Sequence, residues 1–352
     1  MMLSRIVKLT TLLSMTTLLF IITLLFTGTS DASWRPFTSS DVTDELYEPS
    51  AVRQLPNGQF LVVQDESKDP FVLFEYIDGK LKNFIRPPLK TEKQPFWVIG
   101  ADTRPKNLED LEGLAQSPDG YLFAITSHSR TESAAKKKDS RQKLVRMRIA
   151  DNEIVEYALF EELLKAITDA YPELKKPTKD DNPKGRHGFG IEGLCFDATG
   201  KHLWIGLRAP VIKGDSLILI LENPHQLFSE KSTPRFSPKP LRLKMGKGGI
   251  RAMTYVPELN GYLLVTQKAK KKSKSEKSFK LWFMENREGA EPEKITLNGI
   301  DLEKTEGITH FRDNNQTVIM LVSDDGNSAS EHPAQYLTVP LDELHIPSRA
   351  DN

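Results

Sequence analysis

The chain reads as an all-β protein assembled from one repeated four-stranded unit, and three observations carry that reading. Short apolar runs alternate with polar positions and stop at turn residues, the signature of antiparallel strands. A polar residue, a Gly or Ala and an apolar residue recur together five times, at Ser50-Ala51-Val52, Glu112-Gly113-Leu114, Glu192-Gly193-Leu194, Arg251-Ala252-Met253 and Glu306-Gly307-Ile308. Each copy is followed by a turn, a second apolar run and further alternating sequence. A self-similar unit of four short strands at this period is a propeller blade. The predicted fold is a single β-propeller of five four-stranded blades. An alternative of six begins a hidden blade at Phe96–Gly100.

The N-terminus stands apart from this pattern. Arg5 and Lys8 precede an apolar stretch, Leu9–Phe26, and Ser30-Asp31-Ala32 puts small residues where a signal peptidase reads. Cleavage is predicted after Ala32. The stretch is long enough to span a bilayer, so an uncleaved anchor is the rival, and its many threonines weigh against that. No cysteine follows the apolar run, which excludes a lipoprotein anchor. The expected organisation is a signal peptide over 1–32, a propeller over 33–345 and a tail over 346–352, in a periplasmic or secreted monomer.

The strands follow in order. Blade one takes Pro49–Leu55, Gln59–Gln64, Phe71–Ile77 and Leu81–Ile85, and Pro56-Asn57-Gly58 supplies the positive φ of its first hairpin. Blade two takes Leu111–Ser117, Tyr121–Thr126, Lys143–Ile149 and Ile154–Leu159. Blade three takes Ile191–Phe196, His202–Leu207, Ser216–Leu221 and Pro240–Leu243. Blade four takes Arg251–Val256, Tyr262–Thr266, Phe279–Met284 and Lys294–Leu297. Blade five has three clear strands, Glu306–Phe311, Thr317–Val322 and Gln335–Val339. Trp34–Ser39 supplies its fourth and closes the ring, because an open ring would expose strand edges. One insertion is helical: Phe160–Lys175 puts Phe160, Leu163, Leu164, Ile167, Tyr171 and Leu174 on one face, to pack against the outside of a blade. Two loops, Arg130–Arg141 and Lys268–Lys277, are lysine-rich.

Bulk chemistry excludes some functions. The chain of 352 residues balances 48 basic against 48 acidic residues, so no global field draws it to nucleic acid. Its single cysteine, Cys195, forms no internal disulfide and lies within an apolar run, as a small buried hydrophobe does.

Blade geometry turns the repeat into a constellation. The residue opening strand one and the residues closing strand two meet at one mouth of the channel. The openers are Ser50, Glu112, Glu192, Arg251 and Glu306; the closers include Asp65, His128, Arg130, Arg208 and Asp324, and His187 sits just before Glu192. Carboxylates converging on an axis raise one another's pKa and need compensation. Two arrangements supply it. A hard cation, calcium before magnesium, can be held by Glu112, Glu192 and Glu306 with Asp324 or Asp65. Alternatively each glutamate pairs with an arginine of a neighbouring blade. His128 is the candidate general base, and Arg130, Arg208, Arg251 and His187 are candidate anion ligands. Each has a structural alternative, as a hydrogen-bonding histidine or a salt-bridging arginine.

Leu108–Arg130 with its Ser-His-Ser-Arg ending, Ile191–Asp197, Trp204–Pro210 (W-I-G-L-R-A-P), Gly249–Tyr255 and Leu321–Gly326 (L-V-S-D-D-G) resemble an uncharacterised family of exported bacterial proteins. More remotely, the Glu-Gly repeat is similar to esterase-like phytase and gluconolactonase-type propellers. That resemblance implies a divalent cation in the channel and hydrolysis of a phosphoester or lactone; Glu-Gly-Leu stands here where gluconolactonases have Glu-Gly-Pro. The expected function is a divalent-cation-dependent hydrolase of an anionic ester. The alternative is a non-catalytic module binding an anionic glycan, envelope component or partner protein.

Overall fold

The computed structural model describes residues 32–38, 46–65, 67, 69–90, 107–131, 138–180, 182, 185, 187–230, 232–268, 278–297, 299–324, 326 and 332–349. Residues 1–31 of the expected signal segment, half of the loop Arg130–Arg141, most of the loop Lys268–Lys277 and Phe96–Gly100 lie outside these. Among the described residues no helix is long and apolar enough to cross a membrane.

Among the described residues, twenty strands form five four-stranded antiparallel sheets. β1 (Arg35–Pro36) comes first in the chain but belongs to the last blade. Blade one is β2 (Pro49–Gln54), β3 (Phe60–Gln64), β4 (Phe71–Ile77) and β5 (Lys80–Ile85). Blade two is β6 (Leu111–Gln116), β7 (Leu122–Thr126), β8 (Leu144–Ala150) and β9 (Glu153–Phe160). Blade three is β10 (Gly190–Phe196), β11 (Leu203–Ala209), β12 (Ser216–Leu221) and β13 (Leu241–Leu243). Blade four is β14 (Gly248–Val256), β15 (Gly261–Lys268), β16 (Phe279–Glu285) and β17 (Glu293–Ile295). Blade five is β18 (Thr305–Asp313), β19 (Gln316–Ser323), β20 (Gln335–Pro340) and β1, with Arg35 opposite Tyr336. The inner strands touch in a closed cycle, β2 to β6 to β10 to β14 to β18 and back to β2. The ring therefore closes at five blades.

The apolar core lies between blades. Phe123, Leu144, Leu194 and Leu203 pack blade two against blade three, and Phe60, Phe74, Met320 and Tyr336 pack blade one against blade five. The helix α1 (Leu163–Ala170) is shorter than the pattern predicts. Tyr171, preceding Pro172, is pushed out of the helical region to φ −127°, ψ 83°, as a residue before proline must be. The apolar stripe survives the break: Leu163, Ile167, Tyr171 and Leu174 are all buried in the same interblade core.

One irregularity recurs in every inner strand. Leu111 faces Thr126 and Gly113 faces Ile125, so Glu112 is an extra residue in the ladder. The register slips in the same way at Ser50, Glu192, Arg251 and Glu306. Each opener is thus the bulged residue of its blade, and a bulge re-aims a side chain that regular pleating would send into the interblade core. The small residue that follows is needed because the inner strands crowd there. A Cβ on Gly113 would lie 2.7 Å from Leu194 Cβ and 3.1 Å from the Glu192 carbonyl oxygen.

Candidate functional site at the channel mouth

Four of the five bulged residues meet. Glu192 Oε1 accepts from Arg208 Nη1 at 2.7 Å and from Arg251 Nη1 at 2.7 Å. The other end of the Arg251 guanidinium, Nη2, pairs with Glu306. Arg251 therefore bridges the carboxylates of the blades on either side of it. All four side chains are largely buried. Burial pushes the Glu192 carboxyl up, against the pull of Arg251 and Arg208. Burial works against the Arg208 charge, yet Glu192, Glu112 and Asp110 outweigh it and hold the guanidinium above its ordinary value.

Glu112 differs. It is 8 % exposed, and it accepts no hydrogen bond or ion pair among the described residues. Burial first, then Glu192, Asp110 and Asp65, push its carboxyl well above the usual glutamate range. It is also the vertex shared by two carboxylate groups. Glu112, Glu192 and Glu306 bring one oxygen each within 4.8 Å of one another, and so do Asp65, Asp110 and Glu112.

The second group is built by the neck of the ring. The Asp110 N–H donates to the Asp65 carbonyl at 3.3 Å, the Ser127 N–H to the Asp110 carbonyl at 2.8 Å, and the Ile191 N–H to the Ser127 carbonyl at 2.8 Å. This relay ties three blades together and fixes Asp110 at φ 62°. Asp110 Oδ2 accepts from Ser127 Oγ, from Ser129 Oγ at 3.1 Å and from Arg141 Nη1 at 3.0 Å. Asp110 and Arg141 are the site residues that sequence reasoning missed. A signal was present: Glu109-Asp110-Leu111-Glu112 leads three acids into an inner strand.

The two groups fit a cation differently. In the first, a guanidinium already bridges Glu192 and Glu306, supplying the compensation a cation would give. In the second, Arg141 pairs with one oxygen of Asp110, and the carboxylates of Asp65, Asp110 and Glu112, with serine hydroxyls behind them, form an all-oxygen set of the kind hard divalent ions take. Glu112 has no other partner among the described residues to satisfy it.

The remaining predicted residues are distributed around the mouth. Asp324 lies close enough to raise the Arg251 pKa against the burial that lowers it, and its N–H donates to the Lys304 carbonyl at 2.9 Å. His128, buried at φ 55°, directs Nδ1 to the Thr126 carbonyl at 2.8 Å. With Arg130 it lines a cleft of about 510 Å³ beside α1, which Glu161, Glu162 and Lys165 complete. Arg130 Nη1 donates to the Lys179 carbonyl at 3.0 Å. His187 is exposed, in the loop before β10. Cys195 is buried and its thiol is pushed up by that burial, so it is no nucleophile in this state.

Known proteins bear on this architecture. A GH43 β-1,3-galactosidase superposes over 88% of this chain and 60% of its own, with TM-score 0.51 and 10% identity. A putative oxidoreductase (glucose dehydrogenase) from Thermus thermophilus covers 88% of this chain and 100% of its own, with TM-score 0.43 and 13% identity. The PQQ-bound aldose sugar dehydrogenase of Streptomyces coelicolor covers 88% and 98%, with TM-score 0.41 and 11% identity. At such identities the likeness concerns fold alone. No curated protein matches the chain. A family model does: residues 48–327, which hold all five blades except the two closing strands of the last, match the phytase-like family described as "esterase-like activity of phytase", and the chain belongs to that family.

Proposed function

We propose that the protein is a divalent-cation-dependent hydrolase of an anionic ester, phosphoester before lactone, working at the opener mouth of the channel. The observation that carries this reading is Glu112, a buried carboxyl without a partner among the described residues, at the junction of two carboxylate groups. The family description supports ester hydrolysis as the reaction class. Asp65, Asp110 and Glu112 would hold the ion, calcium first, and a bound ion of this kind polarises the ester oxygen and acidifies water.

The chain's own residues do the rest. Ser127, Ser129 and Arg141 hold the Asp110 carboxylate in one orientation. Arg208 and Arg251 pair with Glu192, Arg251 also with Glu306, and the two arginines carry the positive charge that would orient an anionic substrate. His128 lies one residue from Ser127, with Nδ1 tied to a carbonyl, so a neutral ring would present Nε2 as its base. The N-terminal segment supports action after export.

Purified full-length protein, stripped with a chelator, is to be tested with phytate, p-nitrophenyl phosphate and a lactone, with and without calcium. Calcium is expected to raise the melting temperature and to restore turnover. Asp110→Asn is expected to lose both responses, at a cost in rate of about 10²-fold or more. The proposal fails if no divalent ion shifts melting and no ester turns over. Salt-sensitive binding of a polyanion that survives chelation would instead identify a binding module.

A further inference from the structure

The opposite end of the channel holds a second chamber. Each inner strand runs from the opener mouth to its hairpin turn, and residues near those turns enclose a cavity of about 380 Å³. Its wall includes Arg53 from β2, Leu114 from β6, Leu194 from β10, Thr254 from β14, and Ile308 and His310 from β18, so every blade contributes. The wall is polar and apolar in about equal measure, and Arg53, His310 and the acidic Asp197 are all part of it.

Arg53 is the feature that folding does not explain. Its Nη1 donates to Thr254 Oγ1 at 3.1 Å. It pairs with no carboxylate among the described residues, and its Nε is buried without an acceptor. His310 repeats the pattern, with Nδ1 buried and unbonded. Two carboxylates are nearby, and both are engaged. Asp197 accepts from His202 Nδ1 at 2.9 Å and from the Lys201 N–H at 3.0 Å within its own turn. Glu258 accepts from Thr317 Oγ1 at 3.0 Å. Burial lowers the Arg53 pKa, and burial together with Arg53 brings His310 down to about 4, so His310 is neutral near pH 7. Arg53 is thus the fixed positive charge among the lining residues, and Asp197, held in its own turn, is the negative one.

A half-buried guanidinium whose Nε–H has no acceptor is matched by a planar, bidentate oxyanion. A single guanidinium beside the apolar side chains of Leu114, Leu194 and Ile308, with Asp197 elsewhere in the wall, favours a monoanion with an apolar body over a phosphate dianion. We propose that this chamber binds a small organic monocarboxylate, with Arg53 forking its carboxylate, Leu114, Leu194 and Ile308 receiving its hydrocarbon part, and His310 as the second polar contact. The site lies at the other end of the channel from the carboxylate mouth and does not rest on the esterase reading.

The test is calorimetric titration of the purified full chain with acetate, butyrate, benzoate and inorganic phosphate. Saturable binding of butyrate and benzoate is expected, with acetate weaker and phosphate weakest. Arg53→Lys keeps the charge but loses the fork, and is expected to weaken benzoate binding by roughly 10- to 100-fold. Crystals of the unaltered protein soaked in 4-bromobenzoate give a readout independent of the variant's folding, with bromine anomalous signal expected against Ile308. Absence of saturable carboxylate binding, wild-type affinity in the lysine variant, binding of phosphate alone, or bromine outside the chamber would each overturn the proposal.

Discussion

Glu112 concentrates the chemistry of the mouth at one side chain, and its protonation is measurable. Its folded pKa lies above the ordinary value of 4.5, so the folded state binds more protons than the unfolded chain. The stability linked to this group is fully present below that ordinary value and is lost as pH rises through the raised one. Glu112→Gln removes the titration. In chelated protein the variant is therefore expected to gain stability relative to wild type as pH climbs above about 4.5, and urea denaturation across pH reads the difference. Curves that stay parallel at all pH values would contradict the burial argument. Arg251 presents the opposite case, because it is the partner that Glu192 and Glu306 share. Arg251→Ala strands the buried Glu306 carboxylate and leaves Glu192 with Arg208 alone, and is expected to cost about 3–5 kcal/mol of unfolding free energy in denaturant titrations. Serine at position 50, in the fifth opener place, explains why Glu112 has no such partner: its neighbour on that side carries no charge.

At the level of the element, the repeated bulge is the device that makes the site. It was legible only in part. The openers, the small residue after each, and the hairpin turns could be read directly, because alternation and turn chemistry are local. The bulge itself could not, since an extra residue in a ladder is defined by its partner strand. The same limit hid Asp110 and Arg141, which reach the site through the neck between blades and through a long loop. It also hid the pairing: the arginine alternative describes Glu192 and Glu306, and Glu112, within the field of Arg208 and Arg251, pairs with neither. The helix was foreseen by its stripe, while its end was set by Pro172. One consequence can be checked at the crowded inner strands. Gly113→Ala would force a Cβ against Leu194 and Ile125 and is expected to destabilise by about 1–3 kcal/mol. Gly58→Ala meets no neighbouring atom and is strained only through its φ of +88°, so it serves as the control.

At the scale of the whole molecule, five blades and their closure followed from sequence because a ring has few ways to hide its edges. The closing piece is small. β1 contributes two residues, and Phe37 behind it is wholly buried, edge-on to Phe74 and Tyr336 at 5.3 and 5.9 Å. Phe37→Ala is expected to cost about 3–5 kcal/mol and to expose the edge of β20, seen as a lower melting temperature with concentration-dependent aggregation. Cleavage after Ala32, as the sequence predicts, would leave this piece intact. The pairing of Arg35 with Tyr336 also sets an order of events. Once β1 has left the ribosome, it finds its partner only after the other four blades have followed. Until Gln335–Pro340 emerge, blade five lacks a partner for β1, and the inter-blade seam that Phe37 seals stays open. Such long-range pairing is slow to form and exposed while it waits. The molecule therefore has a built-in interval between the synthesis of β1 and that of β20 during which its ring stays open, and that interval ends in a single closing step.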